Sequence, residues 1–336
     1  MWGLREMFSA NRISVALCTY NGEKHLTGQL ESIAAQKRTP DELIVCDDGS
    51  SDETVEIIKK FSRSVSFPVV LHLNEKRLGS TLNFEKAITL CSGELIALCD
   101  QDDLWRNDKL ARMGTVFATQ PEIGLVFSDA TLIDENGKTI NCRLWQGQGF
   151  TPELQRQVVS GDALKVLIKE NVVTGATMAF RSDFRHLLSP IAPEWVHDGW
   201  IAIVIAVFAR VAVINEPLVH YRQHAGQQIG VRELSFRKRI KAAINYSSRH
   251  YLTNAQQFSR ILVHIESLES GSTDHVVSLL KEKIQHFQMR GKPGRSRLNR
   301  VYSIVTELIS GRYSRYSRGI QSAAKDLING VLYYGK

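Results

Sequence analysis

The sequence predicts an α/β protein with a mainly parallel sheet, helices on both of its faces, and a helical C-terminal extension. Three observations carry that expectation. Four short apolar runs alternate with helically spaced segments before residue 100, the rhythm of parallel strands joined by crossover helices. Acidic clusters close two of those runs, at the place where open α/β sheets bind ligands. The charge balance reverses near residue 231, with 23 Lys/Arg against 28 Asp/Glu before it and 19 against 7 after it. That reversal, with the helical spacing that follows, divides the chain into 1–231 and 232–336.

Arg12–Cys18 reads as the first strand, and Thr19-Tyr20-Asn21-Gly22 as a turn with residues suited to capping. Leu26, Leu30, Ile33 and Ala34 then recur at helical spacing. Glu42–Cys46 is a second strand, broken by Asp47-Asp48-Gly49-Ser50-Ser51-Asp52. Ser50 and Glu53 have capping-box spacing, and Val55, Ile58 and Phe61 give the next helix its apolar face. Val69–Leu73 is a third strand. Asn74–Gly79 is a loop, and Ser80 or Thr81 is placed to cap a helix reaching Cys91. Leu95–Cys99 is the fourth strand. A helix over 107–119, a strand over 124–129 and an Asp134–Gly137 hairpin turn follow, then a loop-rich stretch at 143–160. Residues 161–169 read as helix, 177–181 and 218–222 as strands. Ile201–Ile214 is the most apolar segment, but its 14 residues include Arg210 and are too few to span a membrane. It reads as a buried helix running into a strand. Beyond 232, helical spacing dominates: Phe236/Ile240/Ile244, Ile261/Ile265/Leu268, Val276/Leu279/Leu280/Ile284, and two amphipathic stretches after a basic Gly/Pro linker at 290–297.

At 336 residues the chain can bury a sizeable core. Its five cysteines form no C-x-x-C pair, and Cys18, Cys46 and Cys99 lie in strand-like runs. They read as reduced core thiols of a cytoplasmic protein. The first residues lack an apolar stretch long enough for a signal peptide.

The fourth strand ends in Asp100-Gln101-Asp102-Asp103. Three carboxylates this close repel one another unless a cation or a set of donors sits between them. Hard oxygen ligands suit Mg²⁺ or Mn²⁺, ions usually shared with a substrate's phosphates. Strand alternation puts Asp100 and Asp102 on one face and Asp103 on the other, unless the chain turns there. An exposed acidic loop is the plain alternative, and the apolar strand in front of it argues against that.

Four segments together resemble the family-2 glycosyltransferases of the GT-A fold, a Rossmann-like architecture. They are Val15-Ala-Leu-Cys-Thr-Tyr-Asn21, Ile44-Val-Cys-Asp-Asp-Gly-Ser-Ser-Asp52, Leu98-Cys-Asp-Gln-Asp-Asp-Leu-Trp105, and His197-Asp-Gly-Trp200 followed by Tyr221-Arg-Gln-His224. The Asp-Gln-Asp-Asp and Tyr-Arg-Gln-His forms are similar to bacterial rhamnosyltransferase-type members that build surface polysaccharide, lipopolysaccharide among it. The resemblance covers about 11–230. It implies an inverting, metal-dependent transfer of rhamnose or a hexose from a dTDP- or UDP-sugar to a glycan acceptor on a lipid carrier.

The resemblance also implies roles. Asp48 accepts a hydrogen bond from the N3–H of a uracil or thymine, Tyr20 stacks on that base, and Thr19 and Asn21 line the same pocket. Asp102 goes to the ribose and Asp103 to the metal, with Asp100 in support. Asn83 belongs to a helix opening near the diphosphate, where Lys76 and Arg77 add charge. Asp198 is the general base, and Trp195 and Trp200 shape the acceptor pocket. Thr174-Gly175-Ala176 passes beneath the sugar. Arg222 and His224 contact diphosphate or metal.

Two other classes stand beside this reading. A sugar-1-phosphate nucleotidyltransferase is expected to carry a Gly-rich, Arg- and Lys-containing loop after the first strand, where this chain has Thr19-Tyr-Asn-Gly-Glu-Lys24. A non-catalytic nucleotide- or glycan-binding module has no use for both a metal acid and a base. The basic C-terminal region reads in two ways: as amphipathic helices lying on an anionic inner membrane face, or as helices packed on the catalytic domain with solvated charges. No nucleic-acid motif or aromatic interleaving accompanies the basic residues, which argues against nucleic acid as partner.

Overall fold

The structure is a computed structural model that describes residues 11–223, 248–268, 273–292 and 296–332. The chain forms two compact units. One holds residues up to Ala163 together with Val172–Val231; the other holds Leu164–Asn171 and the chain from Arg232 onward.

The first unit is a nine-stranded sheet with helices around it. Strands β1 (Ile13–Thr19), β2 (Glu42–Asp47), β3 (Val69–Leu73) and β4 (Leu95–Cys99) alternate with helices α1 (Glu23–Ala34), α2 (Thr54–Ser62) and α3 (Ser80–Leu90). They pair in parallel in the order β3-β2-β1-β4, as the alternation predicts. Every residue of β1 is buried, because the strand is central and covered on both faces. The register sets Thr19 beside Asp47 and Leu17 beside Cys99. All the turns that follow these strands therefore gather at one edge of the sheet.

Beyond β4 the sheet is mixed. Strand β5 (Leu104–Trp105) and helix α4 (Lys109–Thr119) lead into β6 (Ile123–Ile133) and β7 (Thr139–Arg143). Strand β8 (Met178–Arg181) sits antiparallel between β4 and β6, while β9 (Arg210–Arg222) runs parallel to β6 and antiparallel to β5. The Asp134–Gly137 turn joins β6 to β7, with Gly137 at φ 83° and the Asp134 carboxylate accepting from the N–H groups of Asn136 and Lys138. The stretch at 143–160 is more regular than expected: it holds α5 (Leu144–Gln148) and α6 (Pro152–Gln157). Trp145 and Phe150 pack edge to face at 5.0 Å and each meets Phe127 at 5.6 Å, a long-range cluster that no local period reveals. Helix α7 (Ala163–Lys169) belongs to the second unit from Leu164 on, and α8 (Arg185–Leu188) to the first. The apolar run becomes α9 (His197–Phe208), buried on all sides through Ile205, and then β9.

Two capping expectations fail. Ser50 does not cap α2; its hydroxyl donates to Asp47 Oδ2 at 2.5 Å, and Asp52 Oδ1 instead accepts the Thr54 N–H. Neither Ser80 nor Thr81 caps α3, whose first turn follows Gly79 at φ 79°; the Thr81 hydroxyl donates to the Trp195 carbonyl. A neighbour three residues back claims the Ser50 hydroxyl, and a distant carbonyl claims that of Thr81.

The second unit contains α10 (Ser248–Ser267), α11 (Asp274–Gly291), α12 (Arg297–Ile309), α13 (Arg312–Tyr316) and α14 (Ile320–Leu332). The expected Phe236/Ile240/Ile244 helix lies outside the described residues. Ile304, Tyr313 and Ala323 form a small core with Met289 and Leu327 against it. Several basic residues turn inward. Arg290 Nε donates to Asp326 Oδ2 at 2.7 Å and its Nη1 to Ser317 Oγ at 2.6 Å, while Tyr313 gives its hydroxyl hydrogen to the same carboxylate. Lys283 donates to the Ile168 carbonyl at 2.6 Å, and Arg300 closes the end of α11 through the carbonyls of Met289, Arg290 and Lys292. Replacing Arg290 with Met is expected to destabilise the protein by about 3–5 kcal/mol, because Asp326 keeps its buried charge without its counter-ion. Urea unfolding of the variant checks this, and a loss below about 1 kcal/mol contradicts it.

Among the described residues no helix is long and apolar enough to cross a membrane.

Candidate active site

Two turns build the first wall. Asp47 closes the β2 turn from within: its Oδ1 accepts the Ser50 N–H at 2.8 Å, and its Oδ2 accepts the Thr19 hydroxyl at 2.7 Å. Asn21 has φ 47°, the left-handed region, and holds it through bonds from its own N–H to Ser50 Oγ and from the Ser51 N–H to its side-chain oxygen. Thr19 is buried with its hydroxyl committed, whereas Tyr20 beside it is exposed. The Arg77 guanidinium lies 3.8 Å from the centre of the Tyr20 ring, so one face of that ring already carries a cation.

Asp48 is buried and organises the next loop. Its Oδ1 accepts from the Asn74 amide and the Leu78 N–H at 2.9 and 2.7 Å, and its Oδ2 from the Gly79 N–H at 2.8 Å. The backbone donors ahead of α3, expected to meet a diphosphate, are thus turned toward Asp48. Asn83 differs from its expected place at the nucleotide: it is buried, its amide nitrogen donates to the Cys46 carbonyl and its oxygen accepts from Asn74, both at 2.8 Å. It ties the loop to β2.

The acidic loop faces this wall. Asp103 is fully buried; its Oδ1 accepts the Arg222 N–H at 2.8 Å, while no hydrogen-bond donor meets its Oδ2. The two-residue strand β5 explains the placement: pairing Leu104 with His220 brings the end of β9 beside Asp103. Burial pushes the Asp103 carboxyl well above the usual carboxylate range, and the charges of Asp102 and Asp100 push it further. Burial, then Asp102 and Asp198, push Asp100 up to about 7. Arg222 departs from its expected place on the diphosphate: its guanidinium donates to the carbonyls of Asp102, Asp134 and Glu135 at 2.7–3.1 Å, clamping the acidic loop. His224 lies outside the described residues.

Asp198 occupies the first turn of α9, where the helix dipole favours an ionised carboxylate. Its Oδ2 accepts the Gly175 N–H at 3.3 Å, so the Thr174–Ala176 segment is held directly against it. Its charge acts on Asp100, and Tyr221 feels all four acids, being raised by burial first and then by Asp103, Asp100, Asp102 and Asp198. Asp198 of α9 is therefore within electrostatic reach of the acids of the β4 turn. His197 stacks on Phe84 with ring centres 3.9 Å apart, and burial pushes it down to about 3, so it stays neutral beside the candidate base. Trp195 is nearly buried; Trp200 is wholly buried, with its indole N–H on the Leu188 carbonyl at 2.8 Å. Trp200 thus corrects the expectation that it lines an acceptor pocket: it packs behind Trp195, edge to face at 6.3 Å.

The donor set fits a hard divalent cation. It offers clustered carboxylates and one buried oxygen that nothing in the protein satisfies. Among the described residues no group of three His, Cys, Asp or Glu side chains is placed to hold a metal ion by itself.

The family model described as Glycosyl transferase family 2 matches residues 14–161, a span that contains both turns and the acidic loop. Over that span the chain is similar to the family-2 glycosyltransferases. An uncharacterized glycosyltransferase of Nostoc sp. is 27% identical over 220 residues, which cover 63% of this chain and 65% of that protein. The chain thus spans less than two thirds of that relative's length. Among solved structures, S. aureus TarS 1-349 in complex with UDP-GlcNAc aligns with a TM-score of 0.57 at 16% identity, over 95% of this chain and 89% of that one. The mannosyltransferase PcManGT from Pyrobaculum calidifontis, solved with GDP-Man and Mn²⁺, aligns with a TM-score of 0.53 at 14% identity, over 98% of this chain and 89% of that one. These likenesses show the GT-A fold.

Two residues of the matched span 14–161 escaped the sequence reading. Lys109, at the start of α4, is fully buried, donates to the Ala176 carbonyl at 2.7 Å and lies 3.5 Å from the Trp105 ring centre; burial pushes it down to about 7. Gln101 sits inside the acidic loop and grips the Tyr20 backbone at both ends, accepting its N–H at 2.9 Å and donating to its carbonyl at 3.1 Å. Gly22 makes room for that grip, since a Cβ there would stand 2.3 Å from Gln101 Oε1. Gln101→Ala is expected to weaken UDP or dTDP binding about tenfold, the worth of roughly 1–2 kcal/mol for two hydrogen bonds. Titration calorimetry measures it, and unchanged affinity contradicts the coupling.

Proposed function

We propose that this chain is an inverting, metal-dependent glycosyltransferase that moves a sugar from a nucleoside-diphosphate donor to a glycan hydroxyl. The single observation that carries the reading is the buried Asp103 oxygen without a donor, beside Asp102 and Asp100, the second of which also feels the charge of Asp198 in α9. Asp103, with Asp100 in support, would hold Mn²⁺ or Mg²⁺, and Asp102 would meet the ribose. When bound, the ion supplies positive charge to the leaving diphosphate.

The chain's own residues do the rest. Tyr20 offers its ring to a base from the exposed rim of the β1 turn, and Gln101 fixes its backbone. Asp48 has three protein donors, which leaves lone-pair capacity for one N–H from a uracil or thymine. That supports a UDP- or dTDP-sugar, with rhamnose or a hexose as the sugar. Asp198 takes the proton of the acceptor hydroxyl while that oxygen forms its bond to the anomeric carbon, and the bond from that carbon to the diphosphate oxygen breaks. One carboxylate base is enough for inversion, because no sugar–enzyme bond forms. Trp195 borders the acceptor side.

The proposed acceptor is a bacterial surface glycan on a lipid carrier, reached from the cytoplasmic side by peripheral contact through the basic 232–336 region. A panel of UDP- and dTDP-sugars with Mn²⁺, read by release of the nucleoside diphosphate, tests the donor class. Turnover of none of them, or equal turnover without a divalent ion, contradicts the proposal.

A further inference from the structure

We propose that helix α12 is a membrane-surface helix whose outer face beds into anionic lipid. The inference rests on the reading above of an acceptor held at a membrane, and commits it to one surface of the chain. Leu298, Tyr302, Val305 and Ile309 follow one another at intervals of four, three and four residues, which places them on a single helix face. They are 81%, 72%, 42% and 81% exposed. On the inner face Ile304 enters the small core of the unit and Glu307 is buried. So α12 is apolar on both sides, and among the described residues only one side has a protein partner that accounts for it.

Charge selects the occupant. The one acid of α12, Glu307, turns inward, where His286 Nδ1 lies 2.6 Å from one oxygen and Arg312 donates to the other at 2.8 Å. The only other acid among residues 296–332, Asp326, is buried on Arg290. Arg297 stands exposed at the start of the stripe, while Arg312 and Arg315 after its end are paired with Glu307 and Glu282. Beyond residue 231 basic side chains outnumber acidic ones 19 to 7. A second copy of this chain would bring the same positive rim against itself, whereas a leaflet containing anionic headgroups is complementary to it. Tyr302 suits that boundary, with an apolar ring and a polar tip, and Ile320 on the neighbouring α14 adds a further apolar side chain that is 75% exposed.

Co-sedimentation of the full chain with vesicles tests this. Binding is expected to vesicles of equal parts phosphatidylglycerol and phosphatidylcholine, at least tenfold above binding to phosphatidylcholine alone. The Leu298→Glu, Ile309→Glu double variant, altered only at exposed positions, should lose at least tenfold of that binding and still bind UDP in solution. UDP binding reports the donor site separately, so failure of the glycosyltransferase reading and failure of this one look different. A wild-type chain left in the supernatant with the anionic vesicles overturns the proposal. So does a dimer in solution that the double variant dissolves, which would give the face to a second copy.

Discussion

Asp198→Asn is expected to keep donor binding and to slow transfer by about 10²–10⁴-fold. The amide has the shape of the carboxylate, and its one acceptor oxygen can still take one of the two N–H groups, of Gly175 at 3.3 Å and Gly199 at 2.5 Å, that Asp198 accepts. It cannot take a proton. The loss should therefore fall on kcat, with the donor KM little changed, because the base acts only as the acceptor oxygen attacks. A variant that transfers at the wild-type rate removes Asp198 from the chemistry and leaves it as a helix-turn residue.

Asp103→Asn is the second large effect. Its unmet oxygen is the feature a cation would satisfy, and its other oxygen receives the Arg222 N–H. An amide there can keep that bond but loses the charge. Metal-stimulated binding of UDP or dTDP is expected to fall by at least about 10²-fold, while the smaller metal-independent binding remains. The wild-type protein should also show a pH effect of definite sign. With Asp100 pushed up to about 7 by burial and its acidic neighbours, its carboxyl holds a proton below that pH, and a cation must displace it. Manganese-dependent nucleotide affinity should accordingly rise between about pH 6 and 8, with proton release on binding; a flat profile contradicts the assignment.

Much of the fold could be read in advance because its signals are local. The alternation of β1–β4 with α1–α3 lies in the spacing of apolar residues, and the parallel ladder follows from it. The acidic loop stands out for the same reason, since three carboxylates adjoin one buried strand. What spacing could not disclose is which polar groups are already engaged. Asp48 meets Leu78 and Gly79, about thirty residues on, and Arg222 reaches back to Asp102 and Asp134. These contacts convert Arg222 and Asn83 from expected ligand contacts into residues that hold loops. Trp200 reads as an acceptor-side aromatic in sequence, yet the tertiary packing of α9 encloses it completely. Gln101 stands inside the Asp-Gln-Asp-Asp motif, but the motif gives it no role: its value lies in facing Tyr20 across the sheet edge, which the β1–β4 register creates. The mixed half of the sheet escaped because β5 is two residues long and β8 inserts between strands that precede it in the chain.

The most direct measurement is calorimetric titration of the wild-type chain with UDP and with dTDP, each in the presence and absence of Mn²⁺. The cluster around Asp103 predicts at least tenfold tighter binding of one of these nucleotides with manganese, and loss of that gain in Asp103→Asn. Equal affinity for both nucleotides with and without the ion would contradict a metal-bridged donor site at the end of β4.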